Sequence, residues 1–490
     1  MATMTREGVR IERDFLGEAE VPIDAYYGLE TLRGVENFPI SGLTIHPALI
    51  RGLGRVKKAA ALANRVTGYL DPRIADAIGQ AAGDVIAGNL NGQFIVDPIQ
   101  GGAGASINAN ANEVIANRAL EILGHARGRY DVVSPTSHVN RAQSETDAFP
   151  TAVRVAALEL GQALLRELHQ LHDAFAEKER EFDGLIKIGR ANLQDAEPIR
   201  LGQEFGAYRR VVGRDFERIR QASKPLHEVN LGATTVGTGL NADPDYIETA
   251  VTFLADVTGF PMRAAEDLVD ATQNTDWYTE VSGSLKVCAT NLSKVVNDLR
   301  LMASGPRCGL AEIALPTRQP ASPAAAGAVS PGMAEVVNQV AFQVIGNDQT
   351  ICLASEAGQL ERNAMQPVMA FNLLQSIGIM ANALAVFRKF LVDGIKANAE
   401  HMRAGVEGSA GLVAVIRPHV GHALSARIAR EARATGRTVR ELALREGALS
   451  REQLDVVLDT FEMTRPGIAG GGVMRPRSLW WEEPEVDGAI

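Results

Sequence analysis

The glycine-rich runs GGAGAS at 101–106 and GATTVGTGL at 232–240 have the residue types of loops that cradle a phosphate. Neither keeps the rest of such a site. The second lacks a preceding strand and a loop lysine, and the first lacks a ribose-binding acid at the right distance, so nucleotide binding is not expected. Metal chemistry would need clustered histidine or cysteine ligands. The nine histidines are dispersed, and His169 with His172, or His419 with His422, read as solvated helix faces. Cys288, Cys308 and Cys352 are too scattered for a zinc site or a disulfide framework and read as small buried apolar residues. No metal and no cofactor are expected. The chemistry is left to four turn-rich breaks, at 97–106, 134–150, 230–244 and 315–332, where catalytic residues usually sit.

The elements that must position these loops are helices. From about residue 150 onward apolar side chains return at the helical turn, as in Leu158, Leu164, Leu168, Leu171 and Phe175. Long helices are predicted over 195–225, 243–258, 277–304, 333–362 and 363–396, and strand alternation is rare. The stretch from Asn363 to Phe387 carries no charge but holds Gln366, Asn372, Gln375, Ser376 and Asn382, which hydrocarbon would leave unsatisfied. It reads as the central helix of a bundle, buried among other helices. Shorter helices follow to residue 472. The expected organisation is all-α, with an N-terminal domain over 1–144, a helical bundle over 145–396 and a small C-terminal domain with its tail over 397–490.

With 490 residues and 46% hydrophobic content, the chain can bury a large core. Its net charge of -10 and pI near 5.5 argue against nucleic acid or an anionic membrane as the main partner. The N-terminal MATMTREGVRIERDF has no apolar core of a secretion signal, and the scarce cysteines fit a reducing cytoplasm.

Taken together, QGGAGASINANANEVIANRALEILGH (100–125), SPTSHVNRAQSETDAFPTA (134–152), GRANLQDAEPIRLGQEF (189–205) and GPRCGLAEIALP (305–316) resemble segments of the bacterial aspartate ammonia-lyases. So do VGTGLNADP (236–244), LVDATQNTD (268–276) and FQVIGNDQTICLASEAGQLERN (342–363). The likeness to this family of class II fumarases and aspartases spans roughly residues 10–472. It implies an all-α homotetramer with a 20-helix core, each active site built from loops of three subunits, and a small-molecule substrate.

The resemblance also implies a reaction. A proton is removed from carbon beside a carboxylate, and the developing charge needs preorganised donors. In the family a loop G-S-S-x-M-P-x-K-x-N-P supplies the base from its first Ser. Here LPTRQP and MAEVVNQV anchor the alignment on either side and put Ser322 at that position. The rest of the loop is altered: Pro323 stands for the second Ser, Ala325 for Met, Ala328 for the carboxylate-binding Lys and Ser330 for Asn. Ala105 replaces the Thr of G-T-S. The S-T-N-D pattern becomes Ser144, Glu145, Thr146 and Asp147, and G-R-T-H becomes Gly189, Arg190, Ala191 and Asn192. Glu335 stands where a Glu would hold the missing His.

These changes predict a larger, less cationic pocket. Losing Lys and gaining Glu145 moves the local charge by about two units, which disfavours a dianionic substrate and makes L-aspartate, fumarate and malate poor candidates. Three readings stay open. One is a lyase in which Ser322 acts on a substrate other than L-aspartate, with Glu145 meeting an amine. Another is a catalytically silent scaffold or mixed-tetramer subunit. The third is an aspartase engineered for another ligand. Glu145 is alternatively expected to pair with Arg118 or Arg141, and Asn192 to keep a hydrogen bond to Glu335.

Overall fold

The computed structural model describes residues 5–6, 8–318 and 330–474. They form two compact units, one drawn from 1–168, 214–292 and 338–384, the other from 169–213, 293–337 and 385–490. The chain opens with an antiparallel sheet of β1 (Thr5–Arg6), β2 (Val9–Asp14) and β3 (Gly17–Pro22). Helices α1 (Leu29–Asn37), α2 (Pro47–Val66), α3 (Pro72–Ile86), α4 (Ala105–Ile122) and α5 (Glu145–Glu181) follow. A hairpin of β4 (Ile186–Ala191) and β5 (Gln194–Arg200) precedes α6 (Leu201–Ala222). Two-residue strands β6 (Glu228–Val229) and β7 (Arg263–Ala264) pair in parallel around α7 (Pro244–Thr258). Then come α8 (Leu268–Gln273), α9 (Asp276–Met302), β8 (Ile313–Ala314), α10 (Gly332–Glu356), α11 (Gln366–Phe390) and β9 (Lys396–Ala397). Six short helices end the described chain: α12 (Ala399–Gly408), α13 (Val413–Val420), α14 (His422–Thr435), α15 (Val439–Arg445), α16 (Arg451–Val457) and α17 (Thr460–Met463). This is the all-α architecture expected.

Local chemistry sets the helix ends. His46, Asp71 and Asp243 cap α2, α3 and α7, each followed by a proline at the first helical position, where a missing N–H costs nothing. Thr438 with Glu441 and Ser450 with Gln453 form capping boxes on α15 and α16. In the first unit α2 packs close on α3 because Gly54 has no side chain; a Cβ there would lie 3.0 Å from Ile86 and 3.1 Å from Val85. In the second unit Phe205 packs edge to face with Phe182 and Tyr208, its centroid 5.1 Å from that of Phe182, and Phe175 packs tilted against Phe205 and Tyr208.

Among the described residues α11 is the one helix long and apolar enough to cross a membrane, and more than half of its apolar window is buried. Asn372, Gln375 and Ser376 on this helix find protein partners. Asn347 of α10 donates to Gln375 Oε1 at 3.0 Å and to Ser376 Oγ at 2.9 Å, as a bundle helix requires.

Several boundaries differ from those predicted. The segment 195–200 is strand, and helix begins only at Leu201. Pro198 disfavours helical backbone before it, and the Gln203 side chain accepts the Arg200 N–H at 3.0 Å to start α6. The helix predicted to 362 stops at Glu356, where Gly358 and a bridge between Gln359 and Arg362 turn the chain. His419 is buried, with Nε2 2.7 Å from the Ala469 carbonyl oxygen, and so belongs to the core. Cys308 is exposed, while Cys288 is buried as expected.

Candidate active site

The first turn of α5 carries Ser144, Glu145, Thr146 and Asp147, all in the first unit. Ser144 begins the helix: its carbonyl accepts the Ala148 N–H at 2.9 Å, and its Oγ accepts the Thr146 N–H at 3.3 Å. Asp147 reaches back to accept the Ser144 N–H at 2.9 Å, the reciprocal half of a capping box. The other Asp147 oxygen accepts the N–H groups of Gly232 and Thr234, each at 3.1 Å, and Thr146 Oγ1 donates to the Thr234 carbonyl at 2.7 Å. The glycine-rich loop 230–244 is thereby fixed to the start of α5. Pro150 has no N–H for the Thr146 carbonyl four residues earlier, and that carbonyl instead accepts Asn230 Nδ2 at 3.0 Å.

A second helix start lies beside this one. Gly102, Ala103 and Gly104 all have positive φ and turn the chain into α4, which begins at Ala105. At Gly104, φ is 92° and a Cβ would lie 2.7 Å from the Phe149 ring, so glycine is required there on both counts. Arg362 joins the two starts, with Nη2 donating to Glu145 Oε1 at 2.7 Å and to the Gly102 carbonyl at 2.9 Å. Ser144 Oγ donates to the other Glu145 oxygen at 3.0 Å. Glu145 therefore pairs with Arg362 rather than with Arg118 or Arg141. Arg118 is held by Asp84 and Glu121.

Beneath this turn lies a buried cation. Lys57 of α2 is fully buried and donates to Asn140 Oδ1 at 2.8 Å and Gln143 Oε1 at 2.9 Å. Burial pushes its ammonium down to about 7, against the attraction of Asp147 and Glu145. Burial likewise pushes Asp147 up to about 7, against its backbone donors and Lys57.

The remaining site candidates belong to the second unit or fall outside the described residues. Ala191 and Asn192 are exposed at the β4–β5 hairpin, where Asn192 and Leu193 have φ of 53° and 61°, the signature of a two-residue primed turn. Asn192 does not hydrogen-bond Glu335, because it sits at the hairpin tip. The Glu335 carboxylate takes Arg300 Nη2 at 3.4 Å. Ser330 is half-buried just before α10. Ser322, Pro323, Ala325 and Ala328 lie outside the described residues.

Arg362, Lys57 and Asn230 belong to the described site but were not singled out from sequence. Lys57 had a signal: it follows Leu53 by one helical turn and precedes Ala60 and Ala61, an ammonium on an apolar stripe. Arg362 and Asn230 had none, because only tertiary structure brings them to α5.

Comparison with known proteins gives a consistent set. A family model described as lyase matches residues 17–346, and a fumarase C C-terminus model matches 412–465. The aspartate ammonia-lyase of Bacillus subtilis is 58% identical over 461 residues, covering 94% of this chain and 97% of that one. Its counterpart from Pseudomonas aeruginosa is 48% identical over 460 residues, 93% of this chain and 97% of the other. Among solved structures, a fumarate lyase:delta crystallin from Brucella melitensis has a TM-score of 0.91 at 47% identity, covering 94% of this chain and all (100%) of that one. A class II fumarase from Schistosoma mansoni has a TM-score of 0.89 at 32% identity, with 94% and 99% covered.

Proposed function

Because this chain belongs to the lyase family of the aspartases and class II fumarases, we propose that it is a carbon–nitrogen lyase whose substrate is not L-aspartate. Ser322 is the base that forms the carbanion, by position in the family's loop. Ser144, Glu145 and Thr146 meet the substrate at the start of α5, with Ala105 at the adjoining start of α4. By position in the family's motifs, Ala191, Asn192, Pro323, Ala325, Ala328 and Ser330 are the further substrate-binding positions, with Glu335 as a supporting residue.

The observation that carries the substrate reading is the Glu145–Arg362 pair. A carboxylate occupies the position of the family's Thr, and the nearby guanidinium is neutralised by it. With Ala328 in place of Lys, the site offers less positive charge to a second substrate carboxylate. An amine, amide or β-amino acid fits this balance better than a dianion. Screening such compounds for elimination, or for amine addition in reverse, by mass spectrometry tests the reading. Product that forms in the parent protein and disappears in Ser322→Ala supports it. Unchanged product in that variant refutes the base assignment. The absence of any product favours the silent reading, for which Ala105, Ala191, Pro323 and Ala328 are the motivation.

The homotetramer is proposed on the same footing. Phe342 and Leu353 of α10 are 64% and 61% exposed in the single chain, and burial between subunits would remove them from water.

A further inference from the structure

Arg154 lies on α5, away from the first turn, and is 4% exposed. Its guanidinium stacks over the Trp277 ring, 4.3 Å from the centroid. Among the described residues Nε and Nη1 are both buried without a hydrogen-bond partner, and no carboxylate forms an ion pair with the side chain. Burial pulls the group down to about 10, with only longer-range attraction from Tyr278, Asp276 and Glu228 to offset it. A buried guanidinium without a counter-ion is costly, so the fold maintains one here against a penalty.

The same arginine lines a cavity of about 340 Å³ within the first unit, together with Trp277 and five carboxylates. Three of those carboxylates are engaged: Glu228 by Arg263, Asp267 as the cap of α8, and Asp270 by Asn274 Nδ2 at 2.6 Å. Glu266 and Asp276 line it with no ion-pair partner among the described residues. An anion alone would meet the acidic wall, and a cation alone would leave Arg154 unpaired. The combination selects a ligand that carries both signs, with positive charge in excess.

We propose that this cavity is a binding site for a basic amino acid, distinct from the site at the start of α5. The α-carboxylate pairs with Arg154, and the ammonium groups face Glu266 and Asp276. The site's chemistry is independent of the lyase reading, because none of these residues belongs to the α5 first turn or to the Ser322 loop.

Calorimetric titration of the full-length protein with L-lysine and with cadaverine, which has both amines but no carboxylate, tests the proposal. L-lysine is expected to bind at least tenfold more tightly. Arg154→Leu should abolish that difference, and Asp276→Asn, at the exposed start of α9, should weaken L-lysine several-fold without depending on a core replacement. Equal binding of the two probes, or none of L-lysine, overturns the proposal. So does L-lysine binding that survives both variants but is lost in Ser322→Ala, which would place the ligand in the candidate active site.

Discussion

Lys57 and Asp147 are buried in ionisable form beneath the α5 turn, and their signs make a testable pH dependence. Between about 4, the ordinary carboxylate value, and about 7, folded Asp147 keeps a proton that the unfolded chain has lost, so stability falls as pH rises. Between about 7 and the ordinary ammonium value near 10, unfolded Lys57 keeps a proton that the folded chain has lost, so stability rises. Urea denaturation should therefore show greater stability at pH 9 than at pH 7, a gain that Lys57→Met reduces. An identical gain in that variant would locate its source elsewhere. Glu145 gives the second prediction at this scale. In Glu145→Gln, Arg362 loses its carboxylate and becomes available to a ligand, so succinate should bind about tenfold more tightly by titration. Unchanged or weaker binding would show that Arg362 does not face the substrate space.

At the scale of elements, the β4–β5 hairpin shows what a single sequence conceals. Asn192 suits a left-handed turn position, but Leu193 at φ 61° does not, and it is 72% exposed. Alternation was hidden by the bulge between Ile188 and Arg190, and Leu193 carried no turn signal. Leu193→Gly should stabilise the protein by about 1 kcal/mol, the cost of a side chain in that region, measured as a shift in urea midpoint at constant m. A loss of stability would argue that the leucine is covered in the assembled protein. Helices were far more legible, because periodicity and capping residues are local. The start of α7, expected at 243, lies at Pro244 behind its Asp243 cap, whereas α10, expected to run through Gly358 to 362, stops at Glu356.

For the molecule as a whole, the fold and the lyase family were legible because motif segments match along most of the chain. The site was legible only in part. Ser144, Glu145 and Thr146 form one described turn, but the groups that surround and hold it include residues 57, 230 and 362, too distant for any spacing argument. Assembly is the first prediction here: light scattering should give a tetramer, and Phe342→Glu with Leu353→Glu should dissociate it, since each places a charge on an apolar α10 surface. A parent protein that runs as a monomer would contradict the assembly. The central claim, a carbon–nitrogen lyase turned away from dicarboxylates, is tested most directly by incubating the protein with L-aspartate and following fumarate by its ultraviolet absorbance. The account predicts almost no turnover in either direction, with or without added ammonia; conversion at the rate of an ordinary aspartase would contradict it.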